Sequence, residues 1–318
     1  MLSEFDLTKN YFTRPARRTV LGVGDDAALL RVTPGYELAV STDMLLVDRH
    51  FFANDDPEAL GHKALAVNLS DLAAMGATPR WALLSLALPE VNERWLSRFA
   101  TGWFALAETH RVALIGGDTT KGPLTISVTM MGEVPKGQAL RRSGAKVGDE
   151  IWISGTLGDA ALALAYLQRR LQLPPHDAAA VLPRLHRPTA RVKLGQKLLQ
   201  LAHSAIDISD GLLADLGHIL QASDVGAEIQ FDALPISPTV RTYLAQDAAR
   251  KAVLAGGDDY ELCFTAKAGC HEDIMRLGRR LKLALSCIGV ITRERGLIVR
   301  DAKQQALTIE ETGFDHFA

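Results

Sequence analysis

Apolar and polar positions along the chain fall into two successive sets of strand and helix patterns. Val20–Val23 and Glu37–Asp43 are short β-rich runs. Asp56-Pro57 then opens a helix, with a polar cap and proline in the first turn, running to about Met75 and stopped by Gly76. Trp81–Leu88 reads as a strand and Asn92–His110 as a second helix. Val112–Ile115 is a strand leading into Gly116-Gly117-Asp118, and Leu124–Met131 alternates large apolar residues with smaller ones. Pro135–Gly148 carries Pro, Gly and a cluster of Arg and Lys, which marks a boundary.

Beyond that boundary the pattern restarts with strand Ile151–Ser154 and helix Asp159–Gln172, then a Pro-bearing linker from Leu173 to Pro188. A helix over Thr189–His203, strand Ala205–Ile208 and helix Gly211–Ala222 follow. Strands near Tyr260–Phe264 and Ser286–Val290 flank a helix near His271–Lys282. The expectation is a two-domain α/β and α+β protein, 1–137 and 138–318, each a sheet with helices on one side.

Composition narrows the class. A length of 318 residues suits two domains, and 47% hydrophobic with 23% charged residues is ordinary globular composition. A formal charge of −2 argues against a dedicated nucleic-acid binder. No apolar run approaches the ~18 residues of a membrane span. Met1–Asp6 lacks the basic-then-apolar layout of a secretory signal. Cys263, Cys270 and Cys287 form no CxxC pair, which excludes a zinc ribbon or disulfide framework and leads us to expect the cytoplasm.

The acids carry the chemical information. Aspartate stands beside glycine or a small hydroxyl residue in Gly24-Asp25-Asp26, Ser41-Thr42-Asp43, Ser70-Asp71, Gly116-Gly117-Asp118-Thr119-Thr120, Asp207-Ile208-Ser209-Asp210-Gly211 and Gly256-Gly257-Asp258-Asp259. Several follow apolar strands, so their carboxylates are expected at sheet ends, where α/β layers bind ligands. Gathering anions is unfavourable without cations, and Mg²⁺ commonly joins carboxylates to substrate phosphates. Leu60, Ala64, Val67 and Asp71 follow i, i+4, i+7, i+11, so Asp71 shares an apolar helix face. There it is either a metal ligand or a hydrogen-bonded structural acid. A single Gly-Asp segment is ordinarily a turn or cap; six in one chain favour a metal site.

Competing motifs fail. Gly22–Ala27 fits GxGxxA, but Pro34-Gly35 follows too soon for the helix that fingerprint needs. The loop from Asp207 approaches a calcium loop, but its twelfth position is His218 rather than Glu. No GxxxxGK[ST] phosphate loop occurs. Arg142 and Lys121 are candidate phosphate partners, although for Lys121 a solvated loop residue is the favoured reading. His50 and Glu261 are candidate substrate contacts, and Cys263 reads as core.

Five motifs occur in a familiar order: Gly22–Ala27, Ser41-Thr42-Asp43-Met44-Leu45, Asn68–Ala77, Gly116-Gly117-Asp118-Thr119 and Asp207–Leu212. Together they resemble the bacterial thiamine-monophosphate kinase family, within the aminoimidazole ribonucleotide synthetase-related superfamily. The likeness runs from about residue 3 to Gly313–Phe317; Val147 stands where that family often has proline. It implies an N-terminal mixed-sheet domain for ATP and metal that pairs in a homodimer, and a C-terminal α+β domain closing over nucleotide and substrate. It also implies Mg²⁺-dependent transfer of the ATP γ-phosphate to thiamine phosphate, giving thiamine diphosphate and ADP. Asp26, Ser41, Thr42, Asp43, Asp71, Asp118, Asp207 and Asp210 are the implied metal ligands, with Asp25 beside Asp26. Gly117, Asp118, Arg142 and Ser209 are the implied ATP contacts, and His50, Glu261, Phe314 and Phe317 the implied substrate contacts.

The attacking phosphate oxygen is already anionic, so direct in-line transfer needs no general base. Two alternatives stay open: another ATP-using enzyme of the superfamily, such as aminoimidazole ribonucleotide synthetase, and a non-catalytic nucleotide or metal sensor.

Overall fold

The computed structural model describes residues 4–16, 19–307 and 313. Contacts divide the chain into two compact units, one up to Leu72 together with Ala77–Gln138, the other Ala73–Gly76 with the chain from Ala139 onward. Among the described residues, no helix is long and apolar enough to cross a membrane.

The first unit contains α1 (Glu4–Leu7), β1 (Thr19–Leu21), β2 (Leu29–Leu30), β3 (Tyr36–Leu46), α2 (Pro57–Ala74), β4 (Thr78–Leu88), α3 (Glu93–His110), β5 (Ala113–Lys121) and β6 (Thr125–Pro135). β1 and β2 form a small antiparallel ribbon, and the main sheet has the order β3-β6-β4-β5. β6 is antiparallel to both neighbours, whereas β4 and β5 are parallel, so α3 is the crossover between them. Asn92 caps α3 by accepting from the Trp95 N–H at 3.0 Å. At the end of α2, Gly76 adopts φ 68° while the N–H groups of Gly76 and Ala77 turn back to Ala73 O and Leu72 O. A Cβ on Gly102 would run into the Glu58 carbonyl, so glycine there lets α3 lie directly against α2.

Register fixes what each sheet face carries. Along β3, Ser41 pairs with Met130, Thr42 with Thr129 and Asp43 with Val128. Ala39, Ser41, Asp43 and Leu45 therefore share one face with Val128, Met130 and Leu84. This face lies under α2. The opposite face of β3 carries Leu38, Val40, Thr42, Met44 and Leu46, all exposed, with Val40 at 58% and Met44 at 56%.

The second unit contains β7 (Asp149–Ser154), α4 (Asp159–Leu167), α5 (Pro175–His186), α6 (Val192–Leu198), β8 (Ala202–Asp207), α7 (Leu212–Ser223), β9 (Gly226–Gln230), α8 (Pro238–Tyr243), α9 (Asp247–Ala255), β10 (Leu262–Lys267), α10 (His271–Leu281), β11 (Leu285–Thr292) and β12 (Gly296–Arg300). Its sheet has the order β12-β9-β11-β7-β10-β8, antiparallel except for the β12–β9 pair. Strands, α4 and α7 bury one continuous apolar core around Ile151, Ile153, Leu162, Ile206, Leu216 and Ile229.

Several sequence expectations need correction. The supposed linker Leu173–Pro188 is largely a helix, α5, which starts at Pro175 and tolerates Pro183 because Ala178, Val181 and Leu185 bury one face. The helix expected over Thr189–His203 is confined to Val192–Leu198, and β8 already begins at Ala202. β9, β12, α8 and α9 went unread, the two strands being only five residues each and starting at glycine.

Candidate active site

The expected projection of carboxylates from strand ends holds for Asp207, the last residue of β8, but not for Asp43 and Asp118. Asp43 lies inside β3 and Asp118 inside β5, which continues through Gly116-Gly117 to Lys121. The pairings set Asp118, Ser85, Ser127 and Met44 in one cross-strand row and Gly117, Leu84, Val128 and Asp43 in the next. The pleat consequently sends Asp43 and Asp118 to opposite faces of the same sheet.

On the helix-covered face, Ser41 Oγ donates a hydrogen bond to Asp71 Oδ2. Nearby, the Asp43 N–H donates to Asn68 Oδ1 at 3.1 Å, while Asn68 Nδ2 donates to Ala64 O at 3.1 Å. Asn68 is buried and its amide orientation is fixed by those two contacts. It was not among the residues singled out from the sequence, although its place one turn before Asp71 on α2 was the available signal. Thr42 is not with its neighbours: its Oγ1 lies on the other face, 3.2 Å from Val128 O and 3.0 Å from Thr129 Oγ1. Beyond β3, His50 Nδ1 accepts from the Leu46 N–H at 3.0 Å, leaving Nε2 as the protonated nitrogen of the neutral ring. The buried Lys63 donates to His50 O at 3.2 Å.

The opposite face forms the floor of a cavity of about 930 Å³, walled by Gly24–Ala28, Gly116–Thr119 and Phe12. Asp25, Asp26 and Asp118 line it, and among the described residues no Lys, Arg or His does. Gly117 is required here: it has φ 151°, and a Cβ would run into the Leu84 carbonyl of the adjoining strand. Among the described residues, no three His, Cys, Asp or Glu side chains are gathered closely enough to hold a metal ion by themselves. A Mg²⁺ site does not demand such a cage, because one or two carboxylates plus phosphate oxygens and water complete its octahedron. Three carboxylates with the neighbouring hydroxyls of Ser85, Thr119 and Thr129 are an oxygen donor set that fits this hard cation.

In the second unit, β8 ends at Asp207 and the following turn carries Ser209, Asp210 and Gly211 into α7. Asp215 Oδ2 accepts from the N–H groups of Ser209, Asp210 and Gly211, each at 3.1 Å. Burial pushes the Asp215 carboxyl up to about 7, with the Asp210 charge adding to the rise and the three N–H groups opposing it. From the other side, the Asp258 N–H reaches Ser209 O and the Tyr260 N–H reaches Ile208 O. Asp258 and Tyr260 both have positive φ, so this stretch is sharply turned.

Residues 24–134 match the N-terminal domain of the AIR synthase related protein family, and residues 146–308 its C-terminal domain. The chain is 47% identical to thiamine-monophosphate kinase of Escherichia coli (strain K12) over 321 residues, covering 99% of this chain and 98% of that protein. This chain belongs to the thiamine-monophosphate kinase family. The crystal structure of thiamine-monophosphate kinase from Stenotrophomonas maltophilia K279a superposes with a TM-score of 0.85 at 50% identity, covering 92% of this chain and 93% of that one. AaThiL complexed with AMPPCP and TMP superposes with a TM-score of 0.78 at 32% identity, covering 99% and 97%.

Against the thiamine-monophosphate kinase pattern, Gly117 and Asp118 line the cavity and Arg142 is exposed on the segment before β7. Glu261 sits differently from the expected substrate contact. It is fully buried, accepting from Ser154 Oγ at 2.6 Å, Arg184 Nη2 at 2.7 Å and the guanidinium of Arg191. Arg184 was missed because its stretch reads as a proline-bearing linker, and Arg191 because it falls at the start of an expected helix with no motif beside it. Phe314 and Phe317 lie outside the described residues.

Proposed function

We propose that this protein transfers the γ-phosphoryl group of ATP to thiamine phosphate, yielding thiamine diphosphate and ADP. The observation that carries it is 47% identity to a thiamine-monophosphate kinase over nearly the full chain, together with full-length likeness to AaThiL complexed with AMPPCP and TMP. The cavity chemistry agrees, since two polyanions can meet beside Asp25, Asp26 and Asp118 only with intervening cations.

In the first unit we assign Asp43 and Asp71, with Ser41, to Mg²⁺ on the helix-covered face, and Asp26 and Asp118, with Thr42, to Mg²⁺ on the cavity face; in the second unit we assign Asp207 and Asp210. When bound, Mg²⁺ neutralises phosphate charge and aligns attacking and leaving oxygens. The chain's own residues orient the donors: Ser41 holds Asp71, and Asn68 holds the backbone at Asp43. Gly117, Arg142 and Ser209 bind ATP, and His50 contacts thiamine phosphate. Glu261 acts on the substrate through the arginines it fixes. The attacking oxygen needs no general base, so transfer is direct, by positioning and charge neutralisation.

The exposed apolar row Leu38, Val40, Met44 and Leu46 supports a homodimer formed through β3, since an open strand edge with such a face is otherwise an aggregation hazard. Free thiols at Cys263, Cys270 and Cys287 support a cytoplasmic location. ADP release with thiamine phosphate, compared with thiamine and with formylglycinamidine ribonucleotide, tests the assignment. ADP formation only with the ribonucleotide would replace it with aminoimidazole ribonucleotide synthetase activity, and ATP binding without turnover would leave a sensor.

A further inference from the structure

The helix α7 ties down a loop at each of its ends. At its start, Asp215 gathers the N–H groups of Ser209, Asp210 and Gly211. At its last residue, Ser223 Oγ accepts from the N–H groups of Gly144 and Ala145, both at 3.1 Å, and donates to the Arg142 carbonyl at 3.2 Å. A serine hydroxyl has one proton to give and two lone pairs to fill, so these contacts use its whole hydrogen-bonding capacity. The neighbouring Arg141 carbonyl is held by the Ala205 N–H of β8 at 3.0 Å. Gly144, at φ 128°, has its α-carbon against the His203 carbonyl, where a Cβ could not fit.

The Arg142 backbone is thus pinned on both sides while its side chain stays exposed. α7 has 12 residues, which corresponds to a rigid rod of about 18 Å. Its core face, with Leu212, Leu216, Ile219 and Leu220, is buried, so the rod cannot shift without opening the core.

We propose that Ser223 is a positioning residue for ATP: it sets the Arg142 loop, and α7 keeps that loop in fixed relation to the Ser209 turn. The proposal rests on the assignment of Arg142 and Ser209 to ATP. Ser223 touches no reacting atom; it acts on the geometry of Arg142. Loss of its hydroxyl leaves two N–H groups and one carbonyl of the loop to solvent, so the loop samples other conformations and ATP selects among them.

The test is steady-state ADP formation with thiamine phosphate by Ser223→Ala, Ser223→Thr, Arg142→Ala and the double variant Ser223→Ala/Arg142→Ala, with thermal midpoints for each. Ser223→Ala is expected to raise KM for ATP about tenfold while kcat changes little. KM for thiamine phosphate should hold, and Ser223→Thr should restore KM for ATP. The double variant should match Arg142→Ala alone, the signature of two residues acting through one contact. Additive losses, an unmoved KM for ATP in Ser223→Ala, or equal losses with both substrates would overturn the positioning role. An unmoved KM for ATP in Arg142→Ala would instead overturn the ATP assignment on which the proposal stands.

Discussion

Ser41, inside β3, donates a hydroxyl hydrogen bond to Asp71 on α2, so two residues thirty positions apart in the chain join the strand to the helix at one carboxylate. Asn68, one turn earlier on the same helix, holds the backbone of Asp43. Asp43 and Asp71 are accordingly set by the packing of α2 on the sheet rather than by a flexible loop.

Removing charge at either position is expected to act on chemistry before stability. Asp43→Asn and Asp71→Asn keep shape and most hydrogen bonds, so thermal midpoints should stay within a few degrees of the parent. Turnover should fall on the order of a hundredfold or more. ADP formation titrated against Mg²⁺ reads this, and near-parental rates at limiting Mg²⁺ would remove both residues from the metal site.

Glu133 supplies a pH prediction. It is 2% exposed and accepts from the Thr33 N–H at 2.6 Å and from Arg80 Nε at 2.8 Å. Burial alone would raise its carboxyl, but the Thr33 and Arg80 contacts outweigh that and hold it below the usual value of 4.5. Its stabilising contribution is therefore complete above the unfolded value of 4.5 and is lost as pH falls through the lower folded value. Glu133→Gln should cost about 2 kcal/mol at neutral pH by leaving Arg80 without its charge partner. The variant's denaturation curves should also lose part of the parental fall in stability below pH 4.5; an unchanged acid limb would dismiss the ion pair as its source.

In the proposed homodimer, the outer face of β3 is the surface through which two copies associate. Val40 and Met44 are each more than half exposed and lie two residues to either side of Thr42. Val40→Asp combined with Met44→Asp introduces like charges on a self-paired face, and sedimentation equilibrium should report a monomer where the parent is a dimer. A parent that sediments as a monomer would end the dimer assignment, and a variant that stays dimeric would move the interface elsewhere.

How much of this was legible in the sequence differs from element to element. Pro57 and Gly76 announce both ends of α2 by backbone rules that need no partner, and the structure agrees within two residues. Glycine and hydroxyl neighbours likewise singled out the acids. The sidedness of those acids was not legible, because it depends on register against β6 and β4, and a strand does not encode its partner's register. Asp43 and Asp118 show this directly: only the pairing through β6 and β4 puts them on opposite faces. Arg184 escaped notice for another reason. Pro175 and Pro183 mask a helix whose buried face is only Ala178, Val181 and Leu185, too short a stripe to outvote two prolines.

The central claim is that the terminal phosphoryl group of ATP passes directly to thiamine phosphate. ATP labelled in its γ-phosphate, mixed with enzyme, Mg²⁺ and thiamine phosphate and quenched during the first turnover, tests it most directly. The account predicts label in the terminal phosphate of thiamine diphosphate, in step with ADP, and none on the protein. Label retained on the protein, or released as inorganic phosphate while thiamine phosphate stays unchanged, would contradict it.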